Sequence, residues 1–97
     1  MRNAYELYGL IGKNMKNIRK TIVGKSQEKM AEDVDMSRGF ISHIESPNVD
    51  TGISLDTLFY FAQKYKFDIR KFFDGYEELM KDTENNNENN NDGLTTL

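Results

Sequence analysis

The sequence predicts an all-α fold, and three observations carry that prediction. Apolar residues recur at three- and four-residue steps in successive stretches, as a buried helix face requires. No stretch alternates apolar and polar residues over the length of a strand. The periodic stretches are also bounded by residues that start or stop helices: Ser26, Ser37, Ser54 and Asp68 before them, Gly24 and Pro47 after.

Residues 1–10 form an N-terminal extension whose Tyr5, Leu7, Tyr8 and Leu10 suit either a short helix or an arm. Ile11 to about Ile22 is predicted as the first helix, because Ile11, Met15, Ile18 and Ile22 share a face; Gly24 ends it. Ser26 caps a second helix, with Glu28 in the first turn where the helix dipole favours an acid, and Met30, Ala31 and Val34 buried. The chain breaks near Asp35, one of the few non-glycine residue types that enter the left-handed region readily.

Ser37 then caps a third helix with Phe40, Ile41 and Ile44 as its apolar side. Pro47 stops it, lacking an amide hydrogen and disfavouring helical geometry in the residue before it, and "SPNVDTGIS" reads as a loop. Ser54 starts a fourth helix with a stripe of Leu55, Leu58, Phe61, Ala62 and Tyr65. Asp68 caps a fifth, with Ile69, Phe72, Phe73, Tyr76, Leu79 and Met80 on its apolar face. From Asp82, "DTENNNENNNDGLTTL" has too little apolar content to offset the entropy of ordering and is expected to be a disordered acidic tail. The expected organisation is therefore an extension at 1–10, a helical domain at 11–81 and an Asn-rich acidic tail at 82–97.

Ninety-seven residues suit one small domain with a modest core. No apolar run approaches a membrane span, and the first residues lack the apolar block of a signal peptide, so a cytoplasmic protein is expected. The absence of cysteine excludes disulfides and thiolate metal sites, and a lone histidine, His43, cannot build a His-rich metal site or a catalytic pair. The acids are scattered and no Gly-rich phosphate loop appears. No enzyme activity, cofactor or metal is expected.

The net charge of −3 hides an asymmetry. Residues 1–73 carry twelve Lys and Arg against nine acids, whereas residues 74–97 carry one Lys against seven. Between Ile11 and Met30, Lys13, Lys16, Arg19, Lys20, Lys25 and Lys29 are opposed only by Glu28. A local basic patch of this kind is what phosphates respond to. The third helix adds chemistry of its own, because advancing 100° per residue from Ser37 puts Arg38, Gly39, Ser42 and His43 on the side opposite its apolar face. Arg38 suits a two-pronged contact with guanine O6 and N7, and His43 can donate to or accept from a base edge, donate to a phosphate, or be a surface histidine without a role. Gly39, costly inside a helix, either permits close approach or is simply tolerated.

Three runs, "IGKNMKNIRK", "SQEKMAEDVDMSRGFISHIE" and "SLDTLFYFAQKYKFDIRKFF", together resemble the Cro/repressor (XRE-type) helix-turn-helix family over roughly residues 11 to 73. The resemblance implies a five-helix, lambda-repressor-like fold that binds double-stranded DNA with the third helix in the major groove. It implies base reading by Arg38, Gly39, Ser42 and His43, and phosphate contacts from Gln27 at the start of the second helix. Ser37, Lys25, Lys29 and Asn48 complete the expected phosphate set. Glu45 matches a position that serves internal hydrogen bonding or an ion pair with the first helix, with Arg19 as the partner. The sequence departs from the family in having Asp35 for the usual turn glycine, one extra residue near Val23, and about two more between Glu45 and Ser54.

The expected function is a sequence-specific transcriptional regulator, a repressor acting on a palindromic operator as a homodimer. A domain this small cannot bury the whole apolar face after Asp68, so the dimer is expected through the C-terminal helix at Phe72, Tyr76, Leu79 and Met80, the alternative being that the helix folds back and completes the monomer core. The alternative is a helix-turn-helix antitoxin or other regulator that binds a protein or peptide through its C-terminal region.

Overall fold

The computed structural model describes residues 4–46 and 52–87. Among these are five α-helices and no strand: α1 (Ala4–Ile18), α2 (Gln27–Asp33), α3 (Arg38–Ile44), α4 (Leu55–Tyr65) and α5 (Tyr76–Asn87). A π-helical turn, Arg19–Val23, follows α1, and a 3-10 segment, Ile69–Phe73, precedes α5. Among the described residues no helix is long and apolar enough to cross a membrane.

The local signals act where they stand. The hydroxyls of Ser26, Ser37 and Ser54 accept from the backbone N–H groups of Lys29, Phe40 and Thr57, each satisfying a donor that the first helical turn leaves open. Asp35 takes the left-handed backbone (φ 56°) that lets α2 turn into α3. Residues 4–10 of the extension are helical, since α1 begins at Ala4.

One core draws on Ile11, Met15 and Ile18 of α1, Met30, Ala31 and Val34 in and just after α2, Ile41 and Ile44 of α3, Leu58 and Phe61 of α4, and Phe72. Gly12 lets α1 lie directly on the end of α3, because a Cβ there would overlap the Ile44 carbonyl.

Three expectations need correction. Ile22 is 41% exposed, and Val23 packs against the core instead. The π turn, closed by the Gly24 N–H on the Arg19 carbonyl, holds more residues than the 3.6 of an α turn and moves the inward position on by one. Phe40 and Leu55 stand at the edges of their helical stripes and are 37% and 68% exposed.

The predicted fifth helix is two elements. Asp68 caps only the 3-10 segment, and the chain breaks at Asp74 and Gly75, the latter at φ 92°. Asn14 of α1 explains the break. Its amide donates to the Phe72 carbonyl (2.7 Å) and the Asp74 carbonyl (2.9 Å), acceptors that a continuous helix would use for its own ladder. The helix resumes at Tyr76 and continues past Lys81 to Asn87. The tail expected at 82–97 thus begins in helix, and residues 88–97 lie outside the described residues.

Candidate nucleic-acid interface

With Ile41 and Ile44 buried, α3 turns Arg38, Gly39 and His43 to solvent and leaves Ser42 half-buried beside them. A Cβ built on Gly39 would meet only the Ser37 hydroxyl, at 3.9 Å, so the backbone there is open to close approach. Phe40 rims a cleft of about 200 Å³ with Tyr8, His43, Ile53, Ser54 and Thr57, along the flank of this face.

The phosphate candidates fare differently. Ser37 is exposed, and its oxygen is the N-cap of α3, which leaves the hydroxyl hydrogen to donate. Gln27 is half-buried and turns an amide N–H to Glu45 Oε1 (3.0 Å). It therefore belongs first to an internal network, although a side-chain amide has a second N–H. Lys25 pairs with Asp33 Oδ2 at 3.1 Å and lies over the Tyr65 ring, 5.9 Å from its centroid. Lys29 is exposed and shares a shallow depression with Lys25, Glu32 and Asp33, where two cations and two acids offset each other. Asn48 lies outside the described residues.

The fold thus divides the basic stretch. Arg19 is buried against Glu45, while Lys13, Lys16 and Lys20 line a separate depression along α1 and the π turn with Asn14 and Asn17. These three lysines are one exposed helix face with no acid among its lining residues, which the charge count alone did not resolve.

Asp33 holds α2 to α4. The Tyr65 hydroxyl donates to its Oδ2 at 2.5 Å, and that bond, followed by Lys25, keeps the Asp33 carboxyl below the usual carboxylate range. Burial, followed by the same bond to Asp33, raises the Tyr65 phenol above its ordinary value. Among the described residues no group of three or more His, Asp or Glu is placed to hold a metal ion.

At the expected dimer face, Phe72 is fully buried in the core and so cannot sit at an interface. Tyr76 and Met80 are exposed and Leu79 is half-buried. Phe59 and Tyr60 on α4, two of the aromatic residues whose type suits core or interface, lie off the α4 core stripe and are exposed. Comparison with known protein families, curated proteins and solved structures finds no match to this chain.

Proposed function

We propose that this chain is a sequence-specific double-stranded-DNA-binding regulator of the Cro/repressor helix-turn-helix type, acting in the cytoplasm as a homodimeric repressor. One observation carries the reading. Two short capped helices, α2 and α3, are joined by a turn through left-handed Asp35, and the second offers Arg38, Gly39, Ser42 and His43 opposite buried Ile41 and Ile44. Its side chains suit base edges, its glycine suits close approach, and the α1 lysines suit the backbone phosphates. The homodimer contact is assigned to α5, at Tyr76, Leu79 and Met80.

The test is selection of binding sites from a randomised duplex library, with DNA flanking the protein's own gene footprinted alongside. Wild type is expected to enrich a two-fold-symmetric site. Arg38→Ala is expected to bind it more weakly by about 1–3 kcal/mol and to lose preference at one base pair per half-site. An unchanged preference profile for the variant removes Arg38 as a reader, and no enrichment by wild type removes the reading itself.

A further inference from the structure

α4 has two faces with different occupants. Leu58, Phe61 and Ala62 are buried, while Leu55, Phe59 and Tyr60 are exposed to 68, 53 and 39%. A surface helix ordinarily keeps that side polar. The charges around these residues have an order of their own. Asp56, Tyr60 and Lys64 are spaced by four and form one ridge along the helix, with Leu55 and Phe59 on the adjacent ridge.

Asp56 lies one turn before Tyr60 and Lys64 one turn after it, so reversing the helix direction exchanges acid for base. A second α4 crossing antiparallel at Tyr60 brings each Asp56 towards the partner's Lys64, twice, with aromatic rings between them. A parallel crossing would set like charges together. We propose that this face of α4 is a self-association surface on which a second copy of the chain docks antiparallel about Tyr60. Such a contact is isologous, the two copies using the same patch.

Lys64 is available for it. Its Nζ is 4.0 Å from Asp33 Oδ1, whereas Asp33 is held more closely by Tyr65 at 2.5 Å and Lys25 at 3.1 Å. The surface uses neither the outer face of α3 nor α5. Combined with a contact through α5 it builds assemblies larger than a dimer, and it does not depend on DNA.

The test is sedimentation equilibrium of the full chain without DNA, in a Tyr76→Ser/Met80→Ser background that silences α5. A concentration-dependent monomer–dimer equilibrium is expected. Tyr60→Ser and Asp56→Lys should each weaken it about tenfold or more. Asp56→Lys combined with Lys64→Asp should return to within about threefold of the starting affinity. Circular dichroism checks that each variant is folded; should Lys64→Asp unfold by crowding Asp33, the two single variants and the weakening of association by salt decide. Association untouched by Tyr60→Ser, or a folded charge swap as weak as Asp56→Lys alone, overturns the proposal. So does a protein that stays monomeric up to about 1 mM, which would leave this face to a different partner.

Discussion

The Arg19 guanidinium grips the Glu45 carboxylate with two bonds, Nε to Oε2 at 2.7 Å and Nη2 to Oε1 at 3.1 Å, and both side chains are buried. Arg19 Nη1 also donates to the Lys25 carbonyl at 2.8 Å, and Gln27 donates to Glu45. The pair thereby joins the end of α1, the start of α2 and the end of α3. Glu45→Ala leaves a buried arginine without its carboxylate and is expected to cost about 3–5 kcal/mol in urea unfolding. Replacing both residues by apolar ones of similar volume should recover most of that. A single-variant loss below about 1 kcal/mol would show the pair to be incidental.

Two glycines should respond in opposite directions. Gly12→Ala drives a methyl into the Ile44 carbonyl, a backbone atom that cannot rotate aside, and should destabilise by about 1–3 kcal/mol or more. Gly39→Ala places its methyl in open space on a helix and should stabilise by up to about 1 kcal/mol. On the proposed reading the same methyl stands between α3 and the duplex, so Gly39→Ala should bind DNA more weakly while melting higher. Tighter binding by this variant would rule out close approach at that point.

Stability should fall at both ends of the pH scale. Asp33 and Asp68 have carboxyls held below their ordinary value of 3.8, Asp33 chiefly by Tyr65 and Asp68, down to about 2, chiefly by Arg70. Their contribution is complete above the unfolded value and is lost as pH falls through the folded one. Tyr65 is shifted upward, so its contribution is complete below its ordinary value of 10 and drains away as pH climbs. Tyr65→Phe should flatten both limbs in urea melts across pH, and Asp68→Asn only the acid limb. A Tyr65→Phe profile parallel to wild type would mean that the Asp33 bond contributes nothing.

Salt dependence should separate the lysines. Replacing Lys13, Lys16 or Lys20 by Ala should lower the slope of log affinity against log salt by about one each where that lysine meets a phosphate. Lys25→Ala should lower it less, because that charge is committed to Asp33. None should alter sequence preference, and a changed preference with an unchanged slope would reassign the residue as a base reader.

The proposed α5 contact predicts the behaviour of a shortened chain. Truncation after Asp74 removes Tyr76, Leu79 and Met80 but leaves Phe72 and the Asn14 bonds in place. It should give a folded protein that has lost the α5 contact and binds an operator weakly. Undiminished operator binding and unchanged self-association would move the dimer contact elsewhere.

What the sequence revealed follows the range of the forces involved. Ser26, Ser37 and Ser54 cap helices within three residues of themselves, and Asp35 needs only its own backbone, so each was legible locally. The outward set of α3 was legible because one helical period decides it. Asn14 was not, since its acceptors lie 58 and 60 positions away. The same distance problem hid the fate of Lys25 and Gln27, whose counts as free donors changed once Asp33 and Glu45 stood beside them. Ile22 departs from the helical period for a different reason: the π turn shifts the inward position by one residue.

α1 and the turn after it reach several elements, each through a different device: Gly12 against the end of α3, Asn14 on the 3-10 segment, and Arg19, just past the last residue of α1, on Glu45 and on the Lys25 carbonyl before α2. With α3 anchored in this way and packed on α2 in one core, unfolding should be a single cooperative transition. The outer face of α3 then exists only in the fraction of molecules whose whole domain is intact. On the proposed reading, substitutions in α1 that never meet DNA should lower apparent affinity only once they bring the unfolding equilibrium near unity, and should leave the selectivity of the surviving molecules unchanged.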